Sequence, residues 1–146
     1  MTGNSGPYLL YSCVRAKKIL HKLSGKADSE EQVSIHEGAS RLSNGSHVDT
    51  DEQRNEQELV LNGSERNLIK KLLEYHVVLQ DSVTELAPHK VANYLYELAQ
   101  SFSRFYENCP VAGSDQEQFR RKVVEIYSNV MTHGLNILGI TVPKKM

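Results

Sequence analysis

Two tyrosines and an arginine near the start of the chain, Tyr8, Tyr11 and Arg15, are separated by three and four residues. In a helix, this spacing places neighbouring side chains on one side, with about 5–6 Å between their Cβ atoms. Tyrosine offers a flat face to an unstacked base, and arginine can stack or donate two hydrogen bonds to a phosphate. The alternative is that both tyrosines pack between helices while the Arg15 guanidinium reaches solvent. Spacing alone favours this packing interpretation.

Patterns typical of enzymes and metal sites are absent from the sequence. The six histidines are scattered without HxxxH spacing, and Cys13 and Cys109 form no CxxC pair, so we predict buried free thiols. There is no glycine-rich phosphate loop, no nucleophile elbow and no carboxylate pair on one face of an apolar helix. We therefore predict no catalytic residue, no metal ligand and no cofactor in this chain.

Apolar residues recur at three- and four-residue steps along most of the chain, which predicts helices to position these side chains. Prolines mark helix starts, Ser64 is expected to cap the second helix, and Ser24-Gly25 is expected to end the first. We predict that a capping box of Ser114 and Glu117 opens the last helix. The sequence predicts an all-α bundle of five or six helices, with segments at 7–23, from 64 onward, 79–86, 88–108 and from 114 to 134 or 139.

A polar stretch from Gly25 to Gly63 separates the first helix from the others. It carries nine acidic and three basic residues, whereas the whole chain of 146 residues has a net charge of only −1. The remainder is therefore mildly basic, at about +5, and could meet phosphates. We predict a flexible acidic insertion that need not pack on the bundle.

The last thirteen residues combine an apolar run with a short cationic end. Leu135, Ile137, Leu138 and Ile140 indicate that this end is docked on the bundle, before Lys144, Lys145 and Met146. No apolar run approaches the ~20 residues that span a bilayer, and the N-terminus lacks a basic-then-apolar leader. We expect a single domain over residues 1–146, monomeric and cytoplasmic, and a fragment of a larger protein because Met1 directly precedes a motif.

The opening motif on Gly6, Pro7, Tyr8, Tyr11 and Arg15, taken with the Leu138-Gly139…Pro143…Met146 ending, resembles the DALR-type anticodon-binding domain of arginyl-tRNA synthetases. The segment from Tyr94 to Ala99, followed by Phe102, Phe105 and Tyr106, is similar to another helix of that family. The Asp-Ala-Leu-Arg string itself is absent. Arg120-Arg121-Lys122 stands where the family has Arg-Leu, and we expect these three side chains on a solvated face.

This resemblance reverses the preference for the packing interpretation. It implies that the chain contacts the anticodon loop of an arginine tRNA through Tyr8, Tyr11, Arg15, Tyr106, Lys144, Lys145 and Met146. It also implies a partner, the catalytic domain of the same parent chain, which would bind ATP and Mg²⁺ and attach arginine to the tRNA. A helical protein-interaction module and the equivalent domain of another class I synthetase, such as the cysteinyl enzyme, are the alternatives.

Overall fold

The computed structural model describes residues 6–30 and 60–143, with side chains for 6–25 and 60–143. These residues form five α-helices, which are α1 (Gly6–Glu30), α2 (Gly63–Leu73), α3 (Tyr75–Thr84), α4 (His89–Asn108) and α5 (Glu117–Ile137). No strand occurs in these two ranges. The predicted all-α bundle is confirmed, whereas most of the acidic insertion lies outside the described residues.

The core forms between α4 and its neighbours. Phe102 on α4 stacks on Tyr127 of α5 with ring centroids 3.9 Å apart, and both side chains are fully buried. Farther along the same pair of helices, a Cβ placed on Gly134 would lie 2.7 Å from Leu95 Cδ2. Glycine at 134 therefore allows α5 to approach α4 closely, and the two helices run antiparallel.

The first helix packs against α5 in the antiparallel sense and against α4 in the parallel sense. A buried hydrogen bond of 2.7 Å joins Ser12 Oγ and Tyr127 Oη, and the Arg121 guanidinium donates to Ser24 Oγ at 3.2 Å. Against α4, the Tyr8 ring meets Tyr96 with centroids 5.5 Å apart. These contacts fix which side of α1 faces solvent.

Two predicted helix boundaries, the end of α1 and the start of α5, are wrong for identifiable reasons. Ser24 and Gly25 are expected to end α1, but the helix continues to Glu30. Ser24 Oγ donates to the carbonyl of Leu20 within the helix, so this serine is accommodated without a break. The predicted Ser114 cap is also wrong, because α5 begins at Glu117 and Ser114 Oγ donates to Val111 O in the preceding loop.

The beginnings of α2 and α3 also differ from the prediction. Asn62, not Ser64, caps α2, in a capping box whose Glu65 carboxylate accepts from the Asn62 N–H at 2.7 Å. The short helix predicted at 79–86 begins at Tyr75 instead. It ends before Leu86, whose φ of 51° lies in the left-handed region.

The end of α5 is closed by a Schellman motif. Gly139 has a φ of +76°, the Ile140 N–H donates to Leu135 O at 2.9 Å, and the Gly139 N–H donates to Asn136 O at 3.0 Å. Leu135 is fully buried, and Leu138, Ile140 and Val142 pack on the core. The prediction that this segment docks on the bundle is confirmed as far as Val142, except for Ile137, whose side chain is 51% exposed.

Candidate nucleic-acid interface

A line of side chains at three- and four-residue steps runs along α1 where this helix borders α4 and the loop after α4. Its members are Tyr8, Tyr11, Arg15, Ile19 and Lys22. Tyr11 is 56% exposed, whereas Tyr8 is half-buried against Tyr96 and the core. The structure thus places Tyr11 where a ligand can reach it, and it gives Tyr8 the helix-packing contact described by the alternative interpretation.

Arg15 and Tyr106, which are 91 positions apart in sequence, meet at the surface. The Arg15 guanidinium carbon lies 4.3 Å from the centre of the Tyr106 ring. Tyr106 is 38% exposed, and its ring centroid is 6.4 Å from that of the buried Phe102. This cation–π pair fixes two groups with which nucleic-acid bases stack.

A groove of about 360 Å³ extends this surface beyond Tyr106. Ile19, Lys22 and Leu23 of α1 form one wall, and Pro110, Val111 and Ala112 of the loop after α4 form the other. The sequence prediction missed Lys22, Pro110 and Val111. Lys22 follows Arg15 by seven residues on the same helical face, which was a usable signal, whereas no local pattern indicates that Pro110 faces α1.

The charge of α1 is uniformly positive over the part whose side chains are described. Between residues 6 and 25 there are four cations, Arg15, Lys17, Lys18 and Lys22, and no acidic residue. The distance along the helix axis from Tyr11 to Lys22 is about 16 Å, at 1.5 Å per residue. This surface, which we call the α1–α4 face, comprises Tyr11, Arg15, Lys22, Tyr106 and Pro110, and it combines aromatic groups with positive charge as single-stranded nucleic-acid sites do.

Arg120 contradicts the expectation that residues 120–122 lie on a solvated face. Its side chain is 13% exposed, and Nε donates to the fully buried Glu65 carboxylate at 2.6 Å. Arg121 and Lys122 are exposed, as expected. Arg120 is drawn inward because Glu65, 55 positions away in sequence, requires a buried counter-charge.

Both cysteines are free and buried, as predicted. Burial raises the pKa of the Cys109 thiol, the nearby Glu65 carboxylate raises it further, and the Arg120 guanidinium opposes the shift. Cys109 therefore stays a neutral thiol behind the loop that forms one wall of the groove. Among the described residues, no group of three or more His, Cys, Asp or Glu side chains could hold a metal ion.

Three predicted contact residues, Lys144, Lys145 and Met146, lie outside the described residues. The segment that leads to them begins at the end of α5, which lies beside the start of α1 because these two helices are antiparallel. Within residues 6–30 and 60–143, no helix has both the length and the apolar character needed to cross a bilayer.

The sequence and the fold of this chain are both similar to those of arginyl-tRNA synthetases. The chain is 31% identical over 147 aligned residues to the arginine–tRNA ligase of Francisella tularensis subsp. novicida, with 99% of this chain and 22% of that protein covered. Its fold is similar to Thermus thermophilus arginyl-tRNA synthetase, with a TM-score of 0.71, 25% identity, and coverage of 99% of this chain and 22% of that one.

A putative arginyl-tRNA synthetase from Campylobacter jejuni has the same fold, with a TM-score of 0.69 and 24% identity over all of this chain and 28% of that one. The chain thus spans about a fifth of the length of the curated relatives that it matches. The DALR anticodon binding domain family matches residues 9–146. The chain belongs to the DALR anticodon binding domain family.

Proposed function

We propose that this chain binds the anticodon loop of an arginine tRNA, as the recognition domain of an arginyl-tRNA synthetase. The observation that carries the proposal is the Arg15–Tyr106 pair, exposed beside Tyr11 and continuous with the groove. Unstacked bases of the loop would stack on Tyr11 and Tyr106, while Arg15 and Lys22 would neutralise phosphates. Tyr8, Lys144, Lys145 and Met146 complete the proposed contact set.

The bond-making steps belong, in this proposal, to a catalytic domain of the same parent polypeptide. The relatives are about five times longer than this chain, which leaves ample length for such a domain. ATP and Mg²⁺ would bind there, and this chain would supply recognition without catalysis. The same proposal includes a monomeric domain and a cytoplasmic location.

A titration with an RNA stem-loop that carries an arginine anticodon tests the proposal. We expect fluorescence anisotropy to show binding that weakens as salt is raised, with a lower affinity for a stem-loop whose anticodon is changed. Unchanged affinity at high salt, or equal affinity for duplex DNA, would refute anticodon recognition and favour a protein-interaction module instead.

The Arg15→Ala variant with Arg66→Ala as its control locates the site. Arg66 is an exposed arginine on α2, so both variants lose one positive charge from the protein surface. We expect Arg15→Ala to weaken binding about tenfold, the effect of one charge-assisted contact, and Arg66→Ala to change it less than twofold. Equal losses would mean that net charge, and not the α1–α4 face, governs binding.

A further inference from the structure

The most deeply buried charge in the described part of the chain lies outside the α1–α4 face. The Glu65 side chain has no exposed surface, and one of its oxygens accepts from Arg120 Nε at 2.6 Å. The other oxygen accepts the Asn62 N–H at the start of α2. Burying an ion pair gives little net stability compared with an apolar pair of the same volume, so fold stability is a weak explanation for its presence.

Arg120 uses its remaining donors on two other segments. Nη1 donates to the carbonyl of Pro110 at 2.7 Å, and Nη2 lies 3.4 Å from Gln116 Oε1 just before α5. A guanidinium directs several donors from one rigid plane, which a lysine ammonium on its flexible stem cannot reproduce. One side chain therefore ties the start of α2, the loop after α4 and the start of α5 together.

The loop held by Arg120 forms part of the α1–α4 face. Pro110 and Val111 line the groove opposite Ile19 and Lys22, and Tyr106 lies one turn before the loop. Cys109 ends α4 in an extended conformation, so the helix itself does not determine the direction of the following residues. The buried side chains of Cys109 and Val111 and the Ser114 Oγ bond to Val111 O hold part of this loop. The bond from Arg120 adds the constraint on the Pro110 carbonyl.

We propose that Arg120 is a positioning residue that holds the loop at Pro110 in the geometry required for RNA binding, with Glu65 fixing the arginine. The inference rests on the proposed function, because it requires RNA to bind the α1–α4 face. Arg120 itself faces the interior and acts through the loop, not by touching the RNA.

The Arg120→Lys variant separates positioning from stability. A lysine keeps a positive charge beside Glu65 but cannot also hold the Pro110 carbonyl, so the loop is released while the ion pair survives. Glu65→Gln keeps an oxygen that can accept from Arg120 and so keeps the loop geometry. It loses the counter-charge and places an amide NH2 against the Asn62 N–H, which needs an acceptor. We therefore expect Glu65→Gln to be the less stable variant in thermal melts and Arg120→Lys to be the weaker RNA binder.

The two buried thiols report loop opening within a single molecule. Cys109 borders the loop, and Cys13 lies in α1 with its Sγ 3.4 Å from Thr132 Oγ1 on α5. Iodoacetamide labelling resolved by mass spectrometry gives the ratio of the two rates. Arg120→Lys should raise the Cys109 rate relative to Cys13 about tenfold, the usual effect of losing one charge-assisted hydrogen bond, and weaken stem-loop binding by a similar factor.

A control variant, Val91→Ala, removes buried volume at the start of α4, about 27 Å from Cys109 along the helix. It should lower the melting temperature without changing the labelling ratio or the affinity. Provided that the wild-type chain binds the stem-loop, two results would overturn the positioning role. One is an Arg120→Lys variant whose affinity or labelling ratio equals that of the wild type. The other is a set of variants whose affinities follow their thermal stabilities. Absence of binding by the wild-type chain would instead refute the proposed function, and the positioning role with it.

Discussion

Replacement of Tyr106 tests whether the α1–α4 face binds bases by stacking. The ring has Arg15 over it at 4.3 Å and Phe102 beside it, which fixes its orientation before any ligand arrives. Tyr106→Phe keeps this flat surface and removes only the hydroxyl. Tyr106→Leu keeps apolar bulk but removes the aromatic face, so the two variants form a matched pair.

The expected magnitude follows from the loss of one stacked base. Base–aromatic stacking contributes about 1–3 kcal/mol per base, and each 1.4 kcal/mol corresponds to a tenfold change in Kd. Tyr106→Leu should therefore weaken stem-loop binding by roughly 5- to 150-fold, whereas Tyr106→Phe should stay within about twofold of wild type. Loss of the cation–π pair with Arg15 should also lower folding stability, by about 0.5–1 kcal/mol.

The salt dependence of binding distinguishes stacking from phosphate contact. For single-stranded nucleic acid, the slope of log K against log salt changes by about 0.7 for each phosphate neutralised. Arg15→Ala should reduce the slope by about that amount, and Tyr106→Leu should leave it unchanged while lowering affinity. Anisotropy titrations at three salt concentrations measure both quantities. Equal affinities of the Leu and Phe variants would refute base stacking at this position.

Three further predictions concern the helices that support this face. Because the hydroxyl groups of Ser12 and Tyr127 are hydrogen-bonded to each other in the core, Tyr127→Phe should lower the free energy of unfolding by about 1–3 kcal/mol. A double-mutant cycle with Ser12→Ala, measured by urea denaturation, should show a coupling energy of about 1 kcal/mol. Gly134→Ala should lower the free energy of unfolding, measured in urea, by about 1–2 kcal/mol. The new methyl group would overlap the buried Leu95, and the free-energy cost of this overlap exceeds the gain from alanine's higher helix preference. Burial raises the pKa of Tyr94 above its ordinary value of 10.0, so the folded state holds this proton more tightly than the unfolded chain. Stability should therefore fall as pH rises through about 10, and Tyr94→Phe should make the fall shallower by up to about 1.4 kcal/mol per pH unit, with equal slopes contradicting the assignment.

Local sequence signals predicted the helices best where one strong pattern is bounded by clear breaks. The span predicted for α4, 88–108, agrees with His89–Asn108 because its apolar stripe is continuous between Pro88 and Cys109-Pro110. The end of α1 was not predictable from Ser24 and Gly25, since a contact from Arg121, almost a hundred residues away, supports the helix there. Breaker residues cost about 1 kcal/mol, which tertiary contacts can exceed.

The residues of the candidate site also fall into two groups, those placed by local sequence signals and those placed by contacts between distant helices. Tyr11 and Arg15 could be placed on one face because they share a helix, and their spacing is enough to show it. The approach of Tyr106 to Arg15 depends on α1 and α4 packing in parallel, and only the family resemblance indicated it. Arg120 was predicted to be solvated, as its neighbours Arg121 and Lys122 are. This prediction was wrong because the buried acid that draws Arg120 inward lies on another helix and leaves no local signal in the sequence.

The proposed function requires a nearly neutral chain to bind RNA selectively, and the charge distribution is compatible with this requirement. The net charge of −1 is the sum of an acidic segment and a mildly basic remainder, and the charged residues of the α1–α4 face all lie on α1. Arg15 and Lys22 contribute only about −1.4 to the slope by counter-ion release, and Lys144 and Lys145 of the proposed contact set bring it to about −2.8, still below that of a general nucleic-acid binder. Affinity must then come largely from stacking, which requires unstacked bases. Such a face should discriminate a loop from a duplex even before any base is identified, and equal binding of a fully paired RNA hairpin stem at low salt would contradict this.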